Sequence, residues 1–425
     1  MIKIIRFFSN LNFAISLLLA IAIFSMFGSI IEQDKNLSFY QENYPVESSL
    51  FGFFNWKFII FLQLDHIYQN FWFLTLLIIF GVSLICCTFL QQLPNLKFAR
   101  NSHFNKTKKN VDFKKQFSIY QLEKFIATIR QENYFVFQKK NTFYLTKGLI
   151  GRISPIIVHF SIVLILLGSI VASVTGFKVE QLLAKTEITH LQNLNSVGQL
   201  ARISQQAIRV NDFWITYRQN GKIKQFYSDL SILNGIGQEI QHKIIYVNKP
   251  LLYNNLTIYQ TDWTFNGVRI LTDDSKIFQL PFINKKELIK NQNYISIIPS
   301  KKLNSIFLLQ LNSSRGNIFI YELNGNLLSV LDIDENFNLN QHKIIDLITS
   351  TGLQIKSDPG IIYIYSGFGI LILSTFLSYL SFSEIWIFGL SKNKHLKIEA
   401  ITSRAKNDLR INLSRLLNII SKPSI

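Results

Sequence analysis

One histidine lies inside an apolar run of membrane-spanning length, and it is the residue best placed to do chemistry. His159 falls within the run 153–176, seven residues after Arg152. At about 1.5 Å of rise per residue, the imidazole lies roughly 10 Å inside the membrane boundary. An ionisable side chain is costly there, so it indicates a function by default. A neutral imidazole at that depth suits either metal ligation or proton transfer.

Three roles compete for His159. The plainest is a hydrogen bond to a neighbouring helix. A proton relay would need a second ionisable residue in the membrane, and only Glu384, near the end of the fourth apolar run, comes close. Metal ligation by one histidine would need a further ligand from another chain or a cofactor such as haem. The residues alone leave these three roles open.

The remaining histidines and the cysteines indicate no second site. The histidines have no ligand-like spacing, and we interpret them as surface or structural residues: His66, His103, His190, His242, His342 and His395. Cys86 and Cys87 are adjacent and form no C-x-x-C motif, so thiol exchange is not expected. The sequence contains no P-loop, H-E-x-x-H or C-x-x-C-H motif.

Four apolar runs must position His159, and they predict a multi-pass α-helical membrane protein. The chain has 425 residues, of which 48% are hydrophobic. The first run is longer than a signal-peptide core and lacks a small-x-small cleavage site, so we expect it to remain as a helix. The predicted segments are 1–31 with helix one, the loop 32–69, helix two at 70–92, a basic loop 93–152, helix three at 153–176, a domain 177–360, helix four at 361–389 and a basic tail 390–425. Four aromatic residues are expected at the membrane interface: Trp72, Tyr363, Tyr365 and Trp386.

The distribution of charge predicts the topology. The net charge is +18, and the basic excess lies in the loop 93–152 and the tail 390–425, whereas 32–69 is acidic. This asymmetry is the positive-inside pattern, so both termini and 93–152 are expected on the cytosolic or stromal side. The basic excess therefore needs no nucleic acid to explain it.

Residues 177–360 predict a large antiparallel β-rich domain, either a sandwich or an open barrel. Alternating β-branched and aromatic residues at 213–217 and 223–227 flank Asn220-Gly221, which predicts a hairpin. A second hairpin is expected at 318–321 and 327–331 around Asn324-Gly325. In the basic loop we expect a helix at 119–131 and strands at 134–137 and 142–145.

Small residues predict how helix three packs. Ser154, Ser161, Gly168 and Ala172 recur at spacings of seven, seven and four, which allows another helix to approach closely. Gly168 lies nine positions from His159, or about 180° around the helix. Helix four carries a similar series at Gly367, Ser374, Ser378 and Ser381. We therefore expect tight packing on the face opposite the imidazole.

The chain resembles the ResB/CcsB family of System II cytochrome c biogenesis proteins, in the plastid-encoded form. The similarity runs through all four apolar runs and the domain between them. It is carried by Leu18–Gly28 with Gln33, Tyr40 and Tyr44-Pro45; by Leu64–Tyr68, Phe71–Phe73 and Cys87–Pro94; by Gly148, Gly151 and His159–Gly176; and by Val247–Leu251, Tyr259-Gln260 and Asp358–Gly360.

This resemblance implies a non-autonomous subunit of a cytochrome c haem lyase complex. It would act with a CcsA-type membrane partner to bring haem across the membrane and attach it to apocytochromes c. His159 would be an axial ligand of haem iron, with haem held transiently and shared with the partner. The expected location is the plastid thylakoid membrane, or a bacterial plasma membrane if the chain is not organellar. A second hypothesis is a scaffold that assembles the partner or docks apocytochrome without contacting haem.

Overall fold

We analysed a computed structural model of the chain. It describes residues 2–46, 55–102, 104, 111–192, 194–219, 222–272, 276–283, 293–299, 306–312, 317–322, 324–332, 338–339, 342–389 and 395–421. These residues form two units, one made of 1–171 with 360–425 and the other of 172–359. Each unit is described by itself.

The α-helices carry the predicted spans. In chain order they are α1 (Ile2–Phe8), α2 (Leu11–Ile30), α3 (Leu37–Asn43), α4 (Trp56–Phe61), α5 (Phe71–Cys87), α6 (Leu93–Arg100), α7 (Leu122–Gln131), α8 (Ile150–Thr175), α9 (Ile361–Ser378) and α10 (Lys406–Ser421). Among the described residues, four helical stretches are long and apolar enough to cross a membrane: Leu11–Ile30, Phe71–Lys97, Ile150–Thr175 and Ile361–Ser378. The prediction of four apolar spans is confirmed.

The strands form antiparallel sheets. In chain order they are β1 (Phe113–Ser118), β2 (Phe135–Lys139), β3 (Thr142–Lys147), β4 (Phe177–Ala184), β5 (Ile188–Thr189), β6 (Leu194–Val197), β7 (Ala207–Tyr217), β8 (Ile223–Leu233), β9 (Glu239–Tyr246), β10 (Leu251–Tyr253), β11 (Leu256–Thr272), β12 (Ile277–Pro281), β13 (Asn293–Pro299), β14 (Ile306–Asn312), β15 (Asn317–Glu322), β16 (Leu327–Asp332), β17 (Asn338–Leu339), β18 (His342–Ser357), β19 (Ser383–Gly389) and β20 (His395–Thr402).

The large β domain, residues 177–357, has two cores that share one pair of long strands. Strands β11 and β18 pair along their length, with bulges that include one between Gln260 and Asp262. Ile258 and Ile355 belong to one core, and Phe265 and Leu347 belong to the other. Sheets β5-β7-β8-β9 and β13-β14-β15-β16 complete the domain. The prediction of a large antiparallel β domain is confirmed.

Both predicted hairpins form. Strand β7 pairs with β8, although Asn220 and Gly221 lie outside the described residues. Strand β15 pairs with β16, and Gly325 in their turn has φ of +86°, a value that glycine adopts without strain.

The other unit contains a second sheet, which we call the split-sheet domain, residues 113–147 with 383–421. Its strand order is β1-β20-β19-β3-β2, so the two strands of the second segment lie between β1 and β3 of the first. Helices α7 and α10 cover one face, where Phe125 and Leu413 are buried with Ile398. The predicted helix at 119–131 and the two predicted strands after it are present as α7, β2 and β3.

The structure corrects the end of the fourth span. Helix α9 ends at Ser378, and residues 383–389, which the sequence assigned to that helix, form strand β19. The apolar run misled because a central strand buried on both faces reads as continuously apolar. Trp386 is accordingly a buried residue of the sheet rather than an interfacial one. The expected tail 390–425 likewise contributes β20 and α10 to the split-sheet domain.

Two glycines allow the split-sheet domain to meet the helices. Gly148 has φ of +82°, and a Cβ there would collide with the backbone oxygen of Ser381. A Cβ on Gly151 would collide with the backbone oxygen of Leu380. Residues 148–151 connect β3 to α8, and residues 379–382 connect α9 to β19, so the two glycines let these connections touch.

Candidate functional site

His159 lies on α8 and faces the end of α5. Its Nδ1 atom lies 2.9 Å from Oγ1 of Thr88, the residue that follows α5. The imidazole is half-buried. Thus the face that the sequence predicted to lie opposite the small-residue seam is in contact with the second span.

The hydrogen bonds of Thr88 favour one tautomer of His159. Thr88 Oγ1 also lies 2.8 Å from the carbonyl oxygen of Leu84, which can only accept, so the hydroxyl donates its single proton there. With the hydroxyl donating to Leu84, the same oxygen accepts from Nδ1–H of His159, so this pair of contacts favours the tautomer with its proton on Nδ1. In the neutral imidazole Nε2 is then left with the lone pair. A fixed Nδ1–H donor with Nε2 as the basic nitrogen is the usual arrangement of a metal-ligating histidine.

A local irregularity places Thr88 at this point. Residues Thr88–Gln92 form a π-helical turn between α5 and α6, in which the Leu93 N–H donates to the Thr88 carbonyl. The next residue, Pro94, has no N–H and would clash in a regular helix with the carbonyl four residues earlier. A widened turn relieves that clash, and such turns are frequent at functional sites.

The opposite face of α8 packs on α9 as predicted. Ser154, Ser161 and Gly168 are all buried. A Cβ on Gly168 would lie 2.8 Å from Cγ1 of Ile364, and one on Gly367 would lie 2.6 Å from Cγ1 of Ile165. The two helices therefore approach closely at glycine, and the predicted seam is confirmed at these positions.

The described residues place His159 in no cluster of metal-ligating side chains. Among the described residues, no group of three or more histidine, cysteine or acidic side chains could hold a metal ion. Cys86 and Cys87 are free and half-buried. Glu384 is not on a span at all; it lies buried on β19 and accepts a hydrogen bond from Tyr144. Glu384 therefore offers no partner for the proton relay, one of the alternatives above.

The other predicted structural histidines are dispersed. His242 pairs with Asp229 on the large β domain, and His190 and His395 are exposed. His103 lies outside the described residues, as does the side chain of His342.

His66 forms a charge cluster that the sequence interpretation missed. Its Nδ1 lies 2.7 Å from Oδ1 of Asp34, and its Nε2 lies 3.1 Å from Oδ2 of Asp65. Hydrogen bonds to Asp34 and then Asp65 raise the pKa of His66 to about 10, so both nitrogens donate at neutral pH. The adjacent Asp65-His66 pair was visible in the sequence, but the contact with Asp34 spans 32 residues and needs the tertiary fold.

The cluster joins the end of α2 to the start of α5. Gln33 donates to the carbonyls of Ile31 and Leu64 and accepts from the N–H of Ile67. Gly28 packs so closely that a Cβ there would lie 2.5 Å from Cγ2 of Ile67. Gly28, Gln33 and the segment 64–67, all of which carried the family resemblance, therefore converge on one polar and glycine-dependent junction.

Comparisons with known proteins support that resemblance. Residues 11–326 match the model of the ResB-like family. The chain is 49% identical over 413 residues to "Cytochrome c biogenesis protein Ccs1" of Heterosigma akashiwo, covering 95% of this chain and 97% of the relative. It is 43% identical to the Ccs1 protein of Trieres chinensis, covering 98% and 99% of the two chains. It is 40% identical to "Cytochrome c biogenesis protein CcsB" of Crocosphaera subtropica, covering 95% and 91%.

Proposed function

The chain belongs to the ResB-like family, and on that premise we propose that it is a membrane subunit in cytochrome c biogenesis of the System II type. Two relatives that match this chain over 97% and 99% of their own length are named cytochrome c biogenesis proteins. We propose that it acts with a CcsA-type partner to deliver haem and attach it to apocytochromes c. In this proposal the chain has no activity alone, because the described residues supply one candidate iron ligand and no thiol pair outside the spans.

The proposed role of His159 is to bind the iron of the haem cargo through Nε2. The observation that carries this proposal is the Thr88 hydrogen bond, which holds the ring and favours the proton on Nδ1. Haem iron accepts an imidazole nitrogen as an axial ligand, and a histidine is a common protein ligand for it. The donor set fits one axial position, so the partner would supply any second ligand.

The proposed location is the plastid thylakoid membrane, with both termini on the stromal side. The plastid-type relatives and the positive-inside charge pattern support it. The split-sheet domain would then lie in the stroma and the large β domain in the lumen, where it would dock apocytochrome or the partner.

The same hydrogen bond also favours a second candidate function, a scaffold for the partner that does not contact haem. A histidine that only ties α8 to α5 would need no more than its bond to Thr88. The two functions differ in whether Nε2 reaches iron.

The deciding experiment is the visible spectrum of the complex purified with its CcsA-type partner. We expect His159→Gly to lose the haem bands and added imidazole to restore them, because free imidazole can occupy the vacated position. Thr88→Val should weaken haem retention by about tenfold, and Thr88→Ser should retain it, since a hydroxyl acceptor orients the ligand.

The scaffold function predicts a different result. His159→Gly would then keep normal haem bands, and both His159→Gly and Thr88→Val would lower the yield of assembled complex. Unchanged spectra in His159→Gly would exclude this chain as the source of the iron ligand.

A further inference from the structure

Arg152 is a cation without an anionic partner among the described residues. Its Nε atom is buried and has no hydrogen-bond acceptor there. Its guanidinium carbon lies 5.2 Å from the centre of the Phe382 ring, so one face of the group is covered by an aromatic side chain. The buried carboxylate of Glu384 accepts instead from the Tyr144 hydroxyl, at 2.8 Å. A guanidinium has five N–H donors and stays charged, so leaving it unpaired is costly.

Arg152 does not stabilise the helix in which it lies. It lies in the first turn of α8, which contains no acidic residue. The N-terminal end of a helix carries a partial positive charge and favours anions. A cation there opposes the helix dipole, and an anion bound to that cation would be attracted by both. The stability of α8 therefore gives no reason for an arginine at 152.

Arg152 and His159 share one face of α8. They are seven residues apart, which is close to two helical turns, so their side chains leave the helix in directions that differ by only about 20°. Their Cα atoms are separated by roughly 10 Å along the helix axis. The seam with α9 occupies the other side of the helix at Ser161 and Gly168. A ligand bound at His159 can therefore extend along the helix toward Arg152.

We propose that the Arg152 guanidinium binds a propionate carboxylate of the haem whose iron His159 ligates. This inference rests on the proposed function. Haem carries its two carboxylates at one edge of an otherwise apolar macrocycle, and a guanidinium binds a carboxylate through two parallel N–H bonds. The stacking on Phe382 would hold the guanidinium plane while its N–H edge faces the ligand. Arg152 would thereby set the orientation in which haem enters.

A lipid phosphate offers the same anionic chemistry. Arginines at the inner boundary of a span commonly contact phosphate groups, and the positive-inside pattern of this chain puts Arg152 at such a boundary. The test must therefore separate a carboxylate on the cargo from a phosphate on the membrane.

The experiment titrates the complex of this chain with its CcsA-type partner, in lipid nanodiscs, with two porphyrins and follows the Soret band. One porphyrin is ferric haem, and the other is its dimethyl ester, which keeps the iron but has no free carboxylate. The variants are Arg152→Gln, Arg152→Lys and His159→Gly. Arg404→Gln is the matched control, because Arg404 also lies over an aromatic ring, Tyr379 at 5.6 Å, but donates to the Ser378 carbonyl at 2.8 Å.

We expect Arg152→Gln to weaken haem binding by about tenfold, the loss of one charge-assisted interaction, and to leave ester binding unchanged. Arg152→Lys should fall between wild type and Arg152→Gln, and Arg404→Gln should bind both porphyrins like wild type. Equal effects of Arg152→Gln on both porphyrins, or no effect on either, would overturn the inference. An effect present only in nanodiscs with anionic lipid would assign Arg152 to lipid phosphate and also overturn it.

The outcome for His159 is read separately. If His159→Gly binds both porphyrins like wild type, or wild type shows no saturable Soret change, the proposed haem contact fails and the inference fails with it. If His159→Gly loses both porphyrins while Arg152→Gln loses neither, only the role of Arg152 is overturned.

Discussion

At the scale of single residues, two histidines of this chain differ in which of their ring nitrogens are protonated. The contact with Thr88 favours a proton on Nδ1 of His159 and a lone pair on Nε2, the form that suits a ligand. His66 donates from both nitrogens to Asp34 and Asp65 and has no lone pair left. The surroundings, and not the residue type, therefore decide which histidine can bind a metal.

The His66 cluster predicts a loss of stability at alkaline pH. The hydrogen bonds to Asp34 and Asp65 raise the pKa of His66 from 6.5 to about 10 in the folded chain. Because the folded pKa is raised, its stabilisation is fully present below pH 6.5 and is lost as pH rises through about 10. His66 is 45% exposed, so solvent screening limits the contribution to about 1 kcal/mol or less.

The measurement is thermal unfolding in detergent for wild type and His66→Gln, at a pH below 6.5 and at a pH above 10. We expect wild type to be more stable than His66→Gln at the lower pH and the difference to vanish at the higher one. His190→Gln, an exposed histidine of the large β domain, is the control and should match wild type throughout. A difference for His66→Gln that is the same at both pH values would contradict the prediction.

At the scale of elements, helix α9 carries glycines in two different environments. A Cβ on Gly367 would lie 2.6 Å from Cγ1 of Ile165 and 3.1 Å from the Ser161 carbonyl oxygen. A Cβ on Gly369, half a turn away, would meet nothing within 4 Å. Only the first glycine is required for the approach of α8 and α9, which in turn leaves the His159 face directed at α5.

These two glycines form a matched pair for measuring the seam. We expect Gly367→Ala to lower the free energy of unfolding by roughly 1–3 kcal/mol, because the added methyl group forces the helices apart. Gly369→Ala should be neutral or stabilising by up to about 1 kcal/mol, since alanine favours the helix and meets no neighbour. Denaturant unfolding in detergent measures both, and equal effects of the two substitutions would refute a glycine-dependent seam.

The elements also show how far the sequence could be interpreted. Spacing alone predicted that Ser154, Ser161 and Gly168 would be buried, since helical periodicity requires no knowledge of the partner. The contact of Thr88 with His159 spans 71 residues and depends on a π-helical turn, which no local pattern specifies. Strand β19 was mistaken for helix because it lies between β3 and β20 in the sheet and is buried on both faces. Its sequence is therefore as continuously apolar as that of a span.

At the scale of the whole molecule, the split-sheet domain depends on two segments that the third and fourth spans and the large β domain separate in sequence. Strand β19 lies between β20 and β3, and β20 pairs with β1, so neither segment forms the sheet alone. Asp112, which directly precedes the first segment, also binds the second one: it accepts from the Thr402 N–H at 3.1 Å and from Lys406 Nζ at 3.1 Å. The ends of the spans and this domain are thus parts of one folding unit.

Truncation tests this dependence. A chain ended after Tyr379 keeps the four apolar spans but loses β19, β20 and α10, so β1 and β3 have no partners from that segment. We expect residues 113–147 to become sensitive to limited proteolysis in this chain. A chain ended after Ser421 retains every described element and should be as resistant as wild type. Full resistance of 113–147 in the shorter chain would show that this segment folds alone.

The split sheet has a consequence for the order of synthesis. Strands β1, β2 and β3 are translated first, and β19 and β20, which lie between β1 and β3, follow about 235 residues later. At roughly 5–20 residues per second, the ribosome needs about 10–50 seconds to produce the missing centre. During that interval the large β domain has been made and the third and fourth spans have emerged. The sheet can therefore close only when both of its segments lie on the same side of the bilayer, which two crossings between them provide.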